Sequence, residues 1–310
     1  MATTPVDLKG KKVLITGVTG QVARPLVQAY AKIADVYAMA RYANDADRKE
    51  MESYGAKAVK ADLADPASLS AIPEDIDYVI NAAVVKTGDF EADLKANAEG
   101  VGHLMARTKK CKAFLHISTT GVYEYKGHAL IKETDPLADN HRSLLPTYSI
   151  SKIATESVCR FAAKLFGIPT TIARLNVPYG DNGGWPAMHL HALRTGQPIM
   201  VHPEGPNYYN PIHANDYIEK IPYLLGAASK DITTTNFGGS ERVSIEEWVD
   251  YMSELTGLKP NYMKTPIAFG SIAIDPTRMH ALIGKTKMNW RDGIKNMVRA
   301  QAPDLLPLNA

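Results

Sequence analysis

Through its first half the chain alternates short β-branched runs with stretches whose apolar residues recur every three to four positions. Lys12–Thr16 (KVLIT) reads as a first strand, residues 21 to about 33 as its helix, and Asp35–Ala40 (DVYAMA) as the second strand. Residues 56–60, Tyr78–Asn81 and residues 113–118 supply the third to fifth strands, and 169–174 (PTTIAR) the sixth. These runs are apolar throughout rather than alternating, as strands covered on both faces are, and the strand–helix rhythm predicts βαβ units on a parallel sheet. Ile150, Ile153, Ala154, Val158, Phe161, Ala162 and Leu165 recur at helical spacing, which predicts a long helix over 147–166, stopped by Gly167.

The texture changes from Gly180 onward. GDNGGWPA, PEGPNYYNP and the prolines at 186, 198, 203, 206 and 211 predict loops between short elements. Residues 243–256 (VSIEEWVDYMSELT) form an amphipathic helix with Ser244 as its N-cap, and a last helix is expected near 292–300. The expected fold is therefore α/β, a Rossmann-like doubly wound parallel sheet over residues 1–178. Residues 179–310 are expected to form mainly a smaller C-terminal substrate-binding lobe, with some segments returning to the first domain.

Composition narrows the function. A net charge of +2 from 35 basic and 33 acidic residues, without long runs of one sign, gives no electrostatic reason for nucleic acid or membrane partners, which leaves a small-molecule substrate. Cys111 and Cys159 fall in different elements and in no metal-binding pattern, so reduced, buried thiols and no metal are expected. The opening MATTPVDLKGKK lacks the apolar stretch of a secretory signal, and no run approaches the ~18–20 apolar residues of a membrane span. A cytoplasmic enzyme is the expectation.

Thr16-Gly17-Val18-Thr19-Gly20-Gln21-Val22-Ala23 joins the first strand to its helix. There, free backbone N–H groups and the positive helix end suit a pyrophosphate. Gly17 permits a tight turn, Gly20 a close backbone approach, and Thr19, Gln21 and Val22 complete the loop. At the end of the second strand, an acidic residue would hold the ribose 2′-hydroxyl of NAD, but the chain has Ala40-Arg41. Arg41 can clasp a 2′-phosphate, so NADP is preferred, with NAD as the alternative. Arg48 and Lys49 are further cations on the next helix. Asp62-Leu63 is placed to meet the adenine amino group, although Asp62 serves equally as the N-cap of the next turn.

Tyr148 and Lys152 stand four residues apart, hence on one helix face. A phenol is a poor base at neutral pH, and a neighbouring ammonium lowers its pKa, so Lys152 is expected to activate Tyr148 and to hold the nicotinamide ribose. The fifth strand ends in Ser118-Thr119-Thr120-Gly121, where open parallel sheets present residues to ligands. Thr119 would donate to the substrate oxygen while Tyr148 transfers the proton.

TGxxGxxA, Asp62-Leu63, Asn81-Ala82-Ala83, Asn97 in NAEGVGHL, STTGVY, YSISK, RLNVPYG and IHANDYIE occur in the order seen in the extended short-chain dehydrogenase/reductase family, which includes the NAD-dependent epimerases and dehydratases. The resemblance covers most of the chain. It implies hydride transfer at a carbinol or carbonyl carbon, catalytic Thr119, Tyr148 and Lys152, and a homodimer through a helical interface. Ala82, Ala83, Asn97, Asn176 and Val177 fall in its cofactor segments, with Asn97 also supporting the active-site helix. Arg174 and Tyr179 flank the nicotinamide segment, and His213 and Asp216 read as structural.

Departures from the family pattern steer the reading. Thr120 and Gly121 replace the acidic pair of the dehydratases, and Tyr209-Asn210-Pro211 replace the Arg-Asp-Phe/Tyr whose arginine neutralises a nucleotide diphosphate. Arg278, Arg194 or Lys264 would have to take over that task. Trp185, Met188, His189, His191, His202, Tyr208 and Tyr209 suit a neutral ligand, with Thr120, Trp185, His189 and Tyr209 as the candidate substrate contacts. An NAD(P)-dependent dehydrogenase or reductase acting on a carbonyl or secondary alcohol is the leading expectation. A nucleotide-sugar epimerase is the alternative, and a non-catalytic dinucleotide sensor the second.

Overall fold

The computed structural model describes residues 3–306. Its centre is a seven-stranded sheet in which every pairing is parallel. The strands are β1 (Lys12–Thr16), β2 (Asp35–Ala40), β3 (Lys57–Lys60), β4 (Tyr78–Asn81), β5 (Ala113–Thr119), β6 (Thr170–Leu175) and β7 (Thr233–Phe237), in the order β3-β2-β1-β4-β5-β6-β7. The chain reverses direction across the sheet between β1 and β4, the switch point at which such folds bind ligands. Thr16 pairs with Asn81, Asn81 with His116, and Thr119 with Leu175, so the C-terminal ends of four adjacent strands form one edge.

The helices are α1 (Ala23–Tyr30), α2 (Asp45–Ser53), α3 (Phe90–Leu94), α4 (Gly100–Arg107), α5 (Tyr148–Phe166), α6 (Trp185–Thr195), α7 (Ala214–Gly226), α8 (Ile245–Thr256), α9 (Thr277–Ile283) and α10 (Trp290–Gln301). A π-helical turn, Lys95–Glu99, joins α3 to α4. On one face of the sheet Val13 and Ile15 pack with Leu26 and Val27 of α1 and with Tyr217, Ile221 and Leu224 of α7. On the other, Leu14, Val79 and Phe114 meet Leu104 of α4 and Cys159 and Ala162 of α5. The alternation of Val13, Leu14 and Ile15 between these cores explains why β1 is apolar throughout. A third core, built around Tyr179, Leu190, Trp248 and Met297, holds the C-terminal lobe.

Strands one to six fall within a residue or two of the sequence reading, and Gly167 caps α5 in the left-handed region at φ 67°. Ser244 caps α8 in a reciprocal pair with Glu247. Three things differ. The apolar stripe of α5 is not its core face: Phe161 and Leu165 are 67% and 62% exposed, while Ser149, Ser151, Lys152, Thr155, Glu156 and Cys159 are buried. Small and polar residues occupy the inner face because the helix crosses α4 closely and carries the site.

Helix α6 stands where loop punctuation is read. Its proline lies in the first turn, where the missing N–H costs nothing, and Gly184 before it turns the chain at φ 115°. Strand β7 (TTTNF) and helix α7 return from the second half to the sheet. The strand looks polar, but Asn236 is satisfied by the Tyr123 hydroxyl at 2.7 Å and by the Ile131 carbonyl at 2.9 Å. Both cysteines are free and buried, and burial pushes each thiol up to about 12. Among the described residues no helix is long and apolar enough to cross a membrane.

Candidate active site

The edge where β1, β4 and β5 end is tied by a buried hydrogen-bond ladder. Thr16 Oγ1 donates to Asn81 Oδ1 at 2.6 Å, and Asn81 Nδ2 meets His116 Nδ1 at 3.1 Å. Gly17 follows at φ 70°, and a Cβ on it would lie 2.7 Å from the Ala83 Cα, so backbone passes backbone with room only for hydrogen. Gly20 N–H closes the turn on the Gly17 carbonyl, and α1 then starts at Ala23 without a side-chain cap or an acidic first turn. Its first N–H groups keep their capacity for an anion. The Gln21 Nε2 amide is buried beside this turn with no hydrogen-bond partner among the described residues.

A cleft of about 160 Å³ runs from Thr16–Gly20 past Ala40–Arg41 and Asp62–Leu63 to Ala82–Val84, bringing together most of the residues expected to hold a dinucleotide. Arg41 is exposed there and has no hydrogen-bond or ion-pair partner among the described residues. Arg48 and Lys49 are paired with Asp45 at 2.8 and 3.0 Å. Asp62 combines its two readings: Oδ1 caps the next turn by accepting from the Ala64 N–H at 2.9 Å while the residue lines the cleft.

Thr119 ends β5 and Tyr148 begins α5. The Thr119 hydroxyl accepts from the Gly121 N–H at 3.1 Å. Lys152 is 3% exposed and donates to the Ile117 carbonyl at 2.9 Å, and burial brings its ammonium down to about 8. The Tyr148 phenol is raised by burial, with the Thr119 hydroxyl beside it pulling the other way. Here the Lys152 ammonium is turned to a backbone carbonyl, and the Thr119 hydroxyl is the group that favours the phenolate.

A second ammonium escapes the sequence reading. Lys86, in the loop after β4, stands 5.6 Å from the Tyr148 ring centroid and repels the charge on Lys152. As an exposed lysine it carries no signal in the sequence alone. Two buried side chains anchor the same loop. Asn97, on the π-helical turn, accepts from the Val85 N–H and donates to the Val85 carbonyl, both at 2.8 Å, and reaches Ser151 of α5 at 3.4 Å. Its contacts are those of a brace between loop and helix, and π-turns frequently mark such places. Asp93 accepts from Thr147 at 2.6 Å and from the Thr87 backbone at 2.9 Å, fixing the start of α5.

Arg174 lies away from the cleft surface. It is buried over the Tyr123 ring and doubly bonded to Glu156 at 2.9 and 2.8 Å, and Ser118 donates to the same carboxylate at 2.6 Å. Asn176 is fully engaged, donating to Thr120 and the Ile272 carbonyl and accepting from the Asn210 N–H. Val177 has φ 35°, a strained conformation for a β-branched residue, which orients this segment beside the strand ends. His213 caps α7 through the Asn215 N–H, and Asp216 accepts from the backbone of Lys287 and Met288.

The substrate contacts expected from the sequence are largely spent on the fold. The Thr120 hydroxyl is taken by Asn176 and the Leu175 carbonyl. Tyr209 is 3% exposed and donates to the Gly270 carbonyl at 2.6 Å, and His189 accepts from Trp248 Nε1 at 2.9 Å. These three therefore build the wall rather than face a ligand. Trp185 remains partly open, 5.1 Å from Tyr209 and 6.1 Å from Phe269 between ring centroids. Phe269 lies tilted at 4.2 Å from His141, which stands 5.8 Å from Tyr148, so an aromatic wall runs from the lobe to the phenol. His141 and Phe269 lie in irregular loops, where no periodicity marks them. Of the three substitute cations, Arg194 is paired with Asp304 at 2.9 Å, Arg278 donates to the Thr234 carbonyl at 2.8 Å, and Lys264 borders a separate hollow beside Glu246.

A model of the NAD dependent epimerase/dehydratase family matches residues 13–237. An uncharacterized UDP-glucose epimerase, YtcB, of Bacillus subtilis (strain 168) is 24% identical over 253 residues, 75% of this chain and 76% of that protein. Among solved structures, UDP-glucuronic acid 4-epimerase from Bacillus cereus, in complex with UDP-glucuronic acid and NAD, has a TM-score of 0.81 at 21% identity, covering 94% of this chain and 99% of that one. dTDP-glucose 4,6-dehydratase from Bacillus anthracis str. Ames, in complex with NAD, has a TM-score of 0.79 at 19% identity, covering 95% of this chain and 97% of that one.

Proposed function

Since the chain belongs to the NAD dependent epimerase/dehydratase family, we propose that it moves hydride to and from a carbinol carbon of a nucleotide-linked sugar, returning it to give the epimer. The carrying observation is the gathering of Thr119, Tyr148 and Lys152 at the sheet edge that also bears the Gly17–Gly20 turn. The relatives' names favour this epimerase reading over the simple dehydrogenase expected from the sequence. The intact triad speaks against a non-catalytic sensor.

The site fits a dinucleotide on its own evidence. Gly17 leaves a cradle that a Cβ would fill, and Gln21 offers a buried amide without a partner. Thr19, Gly20, Gln21 and Val22 would hold the pyrophosphate, Asp62 and Leu63 the adenine end, and Ala82, Ala83 and Val177 the side toward Tyr148. When bound, the dinucleotide supplies the carbon that accepts and returns the hydride. Tyr148 takes the carbinol proton at its phenolic oxygen while Thr119 hydrogen-bonds the same substrate oxygen. Burial raises the proton affinity of the Tyr148 oxygen, so its phenolate draws the carbinol proton strongly, while the Thr119 hydroxyl beside it eases formation of that phenolate. Arg41, unpaired at the end of β2, supports a preference for the phosphorylated cofactor, although the solved neighbours hold NAD. Exposed Phe161 and Leu165 on α5 support a homodimer, which sedimentation would show as twice the chain mass.

A second reading is favoured by Tyr209. It stands buried where the family places a diphosphate-binding arginine, which suits net oxidation or reduction of a less charged alcohol or ketone. One experiment separates the two. Each candidate substrate is incubated with NAD or NADP while nicotinamide absorbance and product are followed together. Product without net absorbance change supports the epimerase, and stoichiometric absorbance change supports the second reading. Silence on all substrates counts against both.

A further inference from the structure

Gly121 explains itself only through a residue twenty positions away. A Cβ on Gly121 would lie 2.5 Å from His141 Cε1 and 2.8 Å from its Nδ1, so the missing side chain is what admits an imidazole from the loop before α5. The ring stands against Gly121, which lies two residues past Thr119, where the dehydratases of the family carry acid. It is clamped between Phe269, at 4.2 Å, and the edge of Tyr148, at 5.8 Å between centroids.

The hydrogen-bond network decides which nitrogen is spent. Ser149 Oγ gives its own hydrogen to the Gly121 carbonyl at 2.7 Å, so toward His141 Nδ1, at 3.4 Å, it can only accept. This favours the tautomer with the ring hydrogen on Nδ1, on the side of Ser149 and Gly121, and leaves Nε2 as the acceptor. Burial brings the ring down to about 4, so it stays neutral across the physiological range. Its neighbours are unspent as well. Among the described residues both Asp139 carboxylate oxygens and the Asn140 Nδ2 are buried with no hydrogen-bond partner, and Asp139 meets Arg142 only at 3.6 Å. A loop with this many unsatisfied polar groups beside a phenol is made for a polar ligand.

The geometry points to His141 as a specificity residue whose Nε2 accepts a hydrogen bond from the substrate hydroxyl adjacent to the carbinol that Tyr148 deprotonates. This rests on the proposed hydride chemistry at Tyr148 and adds the requirement that the substrate be a vicinal diol. Sugars meet it, and so does a small diol with no diphosphate. The neutral imidazole selects by accepting, so an analogue lacking that hydroxyl forfeits the hydrogen bond to Nε2 and is the poorer substrate.

The test uses the full chain with UDP-glucose, UDP-glucuronic acid, trans-cyclohexane-1,2-diol and cyclohexanol, each with NAD and NADP. His141→Phe keeps an aromatic ring against Phe269 and removes the acceptor; His141→Gln restores an acceptor without the ring. With the best vicinal diol, H141F is expected to lose about tenfold to a hundredfold in kcat/KM, with dinucleotide-induced thermal stabilisation unchanged. H141Q should recover part of that loss, and the loss of H141F on cyclohexanol should be several-fold smaller than on the diol. H141F within twofold of wild type on every diol overturns the role of His141 while leaving the chemistry at Tyr148 in place. So does an equal loss on diol and cyclohexanol, which is what a purely structural role would give. Wild-type silence on all four probes overturns both.

Discussion

Lys152→Met isolates the cost of burying the catalytic ammonium. The side chains are close in size, so packing is preserved, but the charge is removed. In the folded protein the ammonium titrates at about 8 rather than 10.5. At 1.36 kcal/mol per tenfold change in proton affinity, the charged form costs about 3 kcal/mol at pH 7 and about 1 kcal/mol at pH 10. The direction follows from proton counting. Between about pH 8 and 10.5 the unfolded chain holds a proton on Lys152 that the folded chain has released, so wild-type stability rises with pH through that window relative to the variant. The Ile117 carbonyl loses its donor in the variant, a loss of ~1–3 kcal/mol that does not vary with pH. The assay is urea unfolding of both proteins, without dinucleotide, from pH 7 to pH 10. Wild type should gain about 2–3 kcal/mol on the variant over that range. A flat difference would refute the claim that the site stores an unfavourable buried charge.

Tyr148→Phe should lower turnover by about a hundredfold to ten-thousandfold while dinucleotide affinity, read by thermal shift, stays within a few-fold. Arg41→Ala should weaken NADP binding by tenfold or more and NAD binding far less in isothermal titration; equal losses would remove the basis for the cofactor preference. Glu156→Gln leaves the Arg174 guanidinium buried without its carboxylate, and a loss of about 3–5 kcal/mol in denaturant unfolding is expected. Gly17→Ala sets a side chain at φ 70° against the Ala83 backbone; thermal shift by either dinucleotide should disappear, because the loop must move to accept it.

What the sequence made legible follows the strength of local signals. Six strands, the glycine turn and the Tyr148–Lys152 spacing were readable because each obeys a short-range rule of burial, φ angle or helical period. Strand β7 was not, because its Thr235 and Asn236 are buried polar residues whose partners, Glu133, Ile131 and Tyr123, lie about a hundred residues away. The inner face of α5 was misassigned for a related reason: Lys152 and Glu156 are buried by the requirements of the site, and periodicity counts only apolar residues. Tyr209, His189 and Thr120 looked like substrate contacts by residue type, and only their hydrogen bonds show them committed elsewhere. His141 carried the opposite error: nothing in ADNHRS marks it, and its place depends on Gly121, Ser149 and Phe269 converging in space.

The central claim is that Tyr148 drives a hydride cycle that ends in an epimer. Its most direct test follows UDP-glucose by NMR in the presence of NAD or NADP, with nicotinamide absorbance recorded on the same sample and Tyr148→Phe run in parallel. The expected result is an epimeric UDP-hexose with no net absorbance change in the wild type and none of it in the variant. Stoichiometric nicotinamide reduction, or conversion that persists in the variant, would contradict the account.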